Sequence, residues 1–275
     1  MNIKLNNLLY YNTSNLYPYN KKYHTICNYK FAECASLTTI SFPKCTSIGS
    51  RAFYGCTSLT TVSFPVCTNI GSCAFEKCSS LSTANFSVCT SIGSYAFKNC
   101  TSLTNISFPV CTSIDDQAFW NCSSLTTASF PVCTSMGSQA FWNCSLLTTI
   151  SFPVCTSIEY GAFYGCISLS TANFPVCTSI GTQAFVGCIS LTTASFPVCT
   201  YIGSSAFRYC SSLKSIYFMG TSIPTLTSPY VFFNTPISSY TYLGTYGSIY
   251  VKSSMLNSFK TATNWSRYSA RMVGV

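Results

Sequence analysis

The chain has 275 residues, of which only 7% are charged and 48% are apolar. An ordinary domain is about a quarter charged, and here Ser and Thr supply the polarity, while the regular recurrence of apolar residues excludes disorder. The formal charge of +9 sits at the two ends: from Ala52 to Phe207 only Lys77 and Lys98 stand against Glu76, Asp115, Asp116 and Glu159, so no basic stripe points to nucleic acid.

No run of about 18 apolar residues is present to form a membrane-spanning segment. The first dozen residues have no continuous apolar core, so no signal peptide is expected. Residues 1–33 read as an N-terminal segment rich in Asn and Tyr that ends in an imperfect capping repeat. Ile26 there aligns with Ile48, and Phe31 with Phe53. Terminal repeats of a stacked array are atypical because they shield the first coil.

Residues 34–218 repeat with a period of 22. The Phe of an Ala-Phe pair falls at Phe53, Phe75, Phe97, Phe119, Phe141, Phe163, Phe185 and Phe207. A fixed period in this range is the signature of a solenoid. In one unit, Leu37 to Phe42 forms a short strand, with Ile40 and Phe42 inward and Thr39 and Ser41 toward solvent. Pro43 ends the strand because it has no N–H to donate. The chain then turns through Cys45 and Ile48, both inward. Ser50 to Gly55 is read as one helical or 3-10 turn, with Ser50 as N-cap and Gly55 as the left-handed stop. Other coils place Ser, Thr or Asp at the cap and Gly or Asn at the stop; Lys77, Tyr209 and Tyr160 depart from this rule.

Nineteen cysteines are present, and seventeen fall every 11 residues from Cys34 to Cys210. Each coil thus contributes two. Equivalent residues in stacked coils lie about 4.8 Å apart, but parallel side chains point the same way and do not converge on a disulfide. Free buried thiols acting as small hydrophobes are the expectation. No Cys pair at metal-binding spacing exists and His24 is the single histidine, so neither a metal site nor a cofactor is expected.

The pattern Leu-x-x-Ile-x-Phe-x-x-Cys-x-x-Ile resembles the leucine-rich repeat core, with Cys45 and its equivalents at that family's Asn/Cys position. There the side chain can bond to backbone in the loop after the strand. The trailing Ile-Gly-x-x-Ala-Phe-x-x-Cys resembles the BspA-like, or treponemal-type, leucine-rich repeats of bacterial and protist surface proteins. This resemblance covers Tyr23 to about Phe218. It implies a leucine-rich repeat solenoid with a parallel sheet on one face and short helical or 3-10 turns on the other. It also implies a cell-surface or secreted protein that attaches to a protein or glycan on a host or neighbouring cell.

Residues 219–275 read as a C-terminal capping segment. Thr221 to Tyr246 is expected to be a Pro- and Ser-rich loop, Ser248 to Val251 a strand, and Met255 to Tyr268 an amphipathic helix. Such a strand and helix would cover the open end of the sheet.

Catalysis needs a positioned base or nucleophile with a partner, and one His with five acids supplies little. His24 and Cys27 are a conceivable pair. Asp115 and Asp116 are more simply a helix cap. The expectation is a non-catalytic binding module, with a self-assembling structural protein as the alternative. Two surfaces are candidates. One is the outward sheet face, with Thr83, Asn85, Asn105, Ser107, Thr127, Ser129, Thr149, Ser151, Thr171 and Asn173. The other is the position after Ala-Phe, where Trp120, Trp142 and Tyr164 form three successive aromatics that can anchor a protein or stack on a sugar.

Overall fold

A single 22-residue coil has two Phe, two Cys, a Leu and three further apolar residues to bury, and no partner layer of its own. The computed structural model, which describes residues 24–238 and 246–275, shows how stacking solves this. In one coil Leu59, Val62, Phe64, Cys67, Ile70, Phe75 and Cys78 are all fully buried. The N-terminal stretch expected to be irregular lies largely outside the described residues. Its repeat-like end does join the stack: Thr25–Ile26 pairs in parallel with Ser47–Ile48, and Phe31 stacks on Phe53 with centroids 5.2 Å apart.

Three-residue strands such as Thr39–Ser41, Thr61–Ser63 and Thr127–Ser129 form the front face in strict parallel register. The front sheet is divided into three parts. The divisions fall between the strands Thr83–Asn85 and Asn105–Ser107, and between Thr149–Ser151 and Thr171–Asn173. Behind them the Phe stack widens, to 5.9 Å at Phe86–Phe108 and 6.2 Å at Phe152–Phe174, against 5.2 Å at Phe130–Phe152. Both divisions flank a Thr-Ala-Asn strand.

A second parallel sheet was not expected. Two-residue strands, from Thr25–Ile26 through Ser47–Ile48 to Thr225–Leu226, form one continuous ten-stranded ladder beside the front sheet. The buried residue of each pair, Ile in all but Met136 and Leu226, anchors it, and between the end strands the Thr two residues earlier reinforces it. Thr68 Oγ1, for example, donates to the Thr46 carbonyl at 3.1 Å, and Thr200 Oγ1 to the Thr178 carbonyl at 3.1 Å.

The far side carries the expected i→i+3 turns, but as a succession rather than one continuous helical segment. In the first full coil Ala52, Tyr54 and Cys56 donate to the carbonyls of Gly49, Arg51 and Phe53. The alternate amides of Arg51, Phe53 and Gly55 instead donate across to Ser72, Ala74 and Glu76 of the next coil. Each coil therefore needs two left-handed residues, because these re-aim the backbone between turns. The second falls where Gly55 and Asn99 predicted it, and Lys77 and Tyr209 adopt it too, with φ of 63° and 62°. The first falls on Arg51, Cys73, Tyr95 and Gln117. The cap column works between coils as well: Asp116 Oδ1 accepts from the Ser138 amide at 2.7 Å, so it joins neighbours rather than capping a helix.

Both cysteine columns are structural. Thiols from Cys56 to Cys210 each donate to the carbonyl of a Phe one coil earlier, as from Cys122 to Phe97 at 3.2 Å. The other column donates two residues ahead, as from Cys45 to the Ser47 carbonyl at 3.2 Å, which is the loop-bonding role the resemblance implied. All the described cysteines are free.

At the C-terminal end the segment read as a loop is another coil. Thr225–Leu226 extends the ten-stranded ladder, and Phe232 stacks on Phe207 at 5.5 Å. Residues 239–245 of that segment lie outside the described residues. The expected strand Ser248–Val251 pairs with Ser215–Phe218, and a final strand, Met272–Gly274, covers it. In place of one long helix there is a short α-helix, Leu256–Thr261, and a 3-10 segment, Ser266–Arg271. Between them Trp265 is buried, and its indole N–H donates to the Pro224 carbonyl at 2.6 Å. Phe259, Trp265 and Tyr268 close the apolar end.

Candidate functional site

Alternation along each front strand turns the middle residue inward, buried except for the half-buried Ala84 and Ile150, and its neighbours outward. Thr83, Asn85, Asn105, Ser107, Thr149, Ser151, Thr171 and Asn173 are exposed, and Thr127 and Ser129 are half-buried. Parallel register brings them into two columns. Thr127 lies beside Asn105 and Thr149, and Ser129 beside Ser107 and Ser151. The strand triplet from Asn105 to Ser151 forms the middle part of the front sheet, and the Thr-Ala-Asn strands bracket it.

The hydrogen-bonding state of these groups separates them from other hydroxyls. One residue before the sheet column, Thr60, Thr126 and Thr148 donate to the carbonyls of Thr38, Thr104 and Thr126. Those hydroxyls are committed to holding coils together. Among the described residues, only Asn105 and Thr127 of the ten sheet-face candidates bond through their side chains, Thr127 Oγ1 donating to Asn105 Oδ1 at 2.7 Å. The others offer donors and acceptors to whatever lies on the sheet.

The aromatic stripe is not a continuous platform. Trp142 and Tyr164 stack face to face, 3.8 Å apart and 3° from parallel. Trp120 takes the Lys98 ammonium on its ring, 4.7 Å from the centroid, and that ammonium also bonds Gln117 Oε1 at 3.0 Å. Trp142 explains a local departure in the repeat. A Cβ on Gly161 would lie 2.8 Å from its ring, and Tyr160 packs at 6.5 Å from it. The rings therefore spend much of their surface on one another and on neighbouring coils.

A polar cleft of about 280 Å³ opens on the flank, lined by Ser94, Asp115, Asp116, Ser135, Gly137, Ser157 and Glu159. It forms where Asp115 and Glu159 interrupt a glycine column. Elsewhere that column lies against the preceding coil: a Cβ on Gly203 would sit 2.3 Å from the Thr182 amide nitrogen. Partial burial and the charge of Asp116 raise the Asp115 carboxyl above its ordinary range. Among the described residues no three His, Cys, Asp or Glu side chains gather to hold a metal ion, and no helix is long and apolar enough to cross a membrane.

Parallel coils, a front sheet of Leu-x-x-Ile-x-Phe strands and a Cys bonding to the following loop define a leucine-rich repeat solenoid. The sequence profile of the BspA type leucine rich repeat region matches six copies, over residues 24–148 and 134–260. The chain belongs to the BspA-type leucine-rich repeat family. Its structure is similar to the leucine-rich repeat protein of T. pallidum, with TM-score 0.54 and 30% identity over 61% of this chain and 82% of that one. A leucine-rich repeat protein from Bacteroides ovatus gives TM-score 0.55 and 22% identity over 78% of this chain and 63% of that one. One from Eubacterium ventriosum gives 0.54 and 17%, over 80% and 82%; the last two bear on the fold alone. Among curated proteins no sequence match is found.

Proposed function

We propose that this chain is a non-catalytic binding and adhesion module, displayed on a cell surface or secreted, that engages an extended protein or glycan across its front sheet. The observation that carries this reading is the uncommitted hydrogen-bonding capacity of Thr83, Asn85, Ser107, Ser129, Thr149, Ser151, Thr171 and Asn173, beside Thr ladders whose hydroxyls are internally satisfied. A regular grid of small polar groups spaced about 4.8 Å apart along the stack suits a partner that is itself extended. The likeness of its repeats to those of surface proteins supports attachment to host or neighbouring cells. Aromatic pairing at Trp142 and Tyr164 makes the far side the weaker candidate, because ring faces already in use are not free to stack on sugar.

Replacing Thr127, Thr149 and Thr171 together by Lys places three bulky charges on outward positions of the front sheet, two exposed and one half-buried, without touching the core. Binding to epithelial cells and to a glycan array is expected to fall at least tenfold, with the circular dichroism spectrum unchanged. Undiminished binding by this variant rules the front face out.

A further inference from the structure

The Pro-Val step that ends each front strand leaves an apolar ridge along the corner between the two sheets. Its valines recur every 22 residues from Val66 to Val198 and are 38–45% exposed, although the Cys that follows each is buried. In six of these seven coils a Pro precedes the Val; Ser87 takes its place once. Seven valines at about 4.8 Å spacing make a ridge about 29 Å long. From Phe64 to Thr200 none of its Phe-Pro-Val-Cys-Thr segments carries a charge. Isolated exposed valines need no explanation, whereas contiguous apolar patches of several hundred Å² mark contact sites.

We infer that this ridge is a self-docking surface, on which a second copy of the chain packs ridge to ridge and antiparallel. Three observations select that occupant. First, the ridge has a uniform repeat, and a second copy has the same one, so valines of one chain fit the gaps between valines of the other along the whole length. Second, valines about 40% exposed, with their prolines, offer roughly 600–700 Å² per copy, close to the ~800 Å² per partner of a standard interface. Third, the first place in the column is taken by Lys44, which is exposed. Parallel packing would set the two Lys44 side chains against each other. Antiparallel packing, generated by a twofold axis perpendicular to the ridge, sends each to the Val198 end of its partner.

Sedimentation velocity of the full chain under reducing conditions, from 1 to 100 μM, tests this. The wild type is expected to dimerise. The variant carrying Val110→Lys, Val132→Lys and Val154→Lys is expected to raise the dissociation constant about 100-fold or more and to keep the wild-type circular dichroism. The front-sheet variant with Lys at Thr127, Thr149 and Thr171 should dimerise like the wild type, which separates this surface from the ligand face. If the triple Val variant misfolds, Val132→Glu alone is expected to weaken the dimer in the same direction. Disulfide trapping in a Lys44→Cys, Val198→Cys double variant, read by peptide mapping, is expected to join residue 44 of one copy to residue 198 of the other. A wild type that stays monomeric throughout, ridge variants that dimerise unchanged, or trapping of residue 44 to residue 44 each overturns the proposal.

Discussion

Raising the pH should unfold this protein through its cysteines. Burial pushes the thiols of Cys67, Cys89, Cys133, Cys177 and Cys199 up to about 12, against about 8.5 for a cysteine in an unfolded chain. A folded-state pKa raised in this way gives stability that is complete below about pH 8.5 and is lost as the pH climbs toward 12, because the unfolded chain releases its protons first. At pH 10 each such thiol withdraws about 2 kcal/mol. Five of them withdraw about 10 kcal/mol, comparable to the whole stability of a typical domain. The second column adds to this, since burial also raises Cys122 and Cys166, and ionisation removes their bonds to Phe97 and Phe141. Urea titrations at pH 7, 8, 9 and 10 with a non-thiol reductant, followed by far-ultraviolet circular dichroism, measure the effect. The midpoint is expected to hold to pH 8, fall steeply from pH 9, and leave little cooperative transition at pH 10. A midpoint unchanged at pH 10 would mean that the thiols titrate in the folded chain as they do in the unfolded one, and that burial does not hold them protonated.

Thiol counting checks the same columns independently. Unreduced protein in denaturant is expected to show close to 19 reactive thiols, while the native protein reacts fast only at the exposed Cys27 and slowly at the half-buried Cys34, whose thiol burial pushes up to about 11. Phe141→Ala removes a ring stacked on Phe119 at 5.2 Å and Phe163 at 5.5 Å. It should cost about 3–5 kcal/mol, with hydrogen exchange accelerating first in the coils between those two residues. Gly203→Ala places a methyl 2.3 Å from the Thr182 nitrogen. It should lower stability by about 1–3 kcal/mol, read as a fall in Tm, because two coils must part to admit it.

Much of this architecture was legible because the repeat states each instruction many times. Leu59, Phe64, Phe75 and the ladder cysteines from Cys45 to Cys210 recur at 22-residue spacing, and all are buried. The ten-stranded ladder escaped because a strand such as Ser47–Ile48 is too short to show alternation. Its signal was the Thr two residues before each Ile. The first left-handed position escaped because it falls on Arg51, Tyr95 and Gln117, residues without a turn preference; only Gly161 announces it. The coil after Phe218 reads as a loop in the sequence because its spacing stretches. Leu226 follows Ile202 by 24 residues, and Phe232 follows Phe207 by 25. On the candidate site, sequence identified the outward columns, but it could not show that Thr60 and Thr126 are internally bonded while Thr149 and Thr171 are not. The valine ridge was visible as a period, and only its exposure makes it a surface.

Placing one Lys on each face and measuring attachment to epithelial cells decides whether the front sheet is the recognition face. Thr149→Lys marks the front sheet, Trp142→Lys the far side and Val132→Lys the corner ridge. Loss of attachment confined to Thr149→Lys is the predicted result. Full attachment by that variant, with loss at Trp142→Lys, excludes the front sheet and moves recognition to the aromatic side.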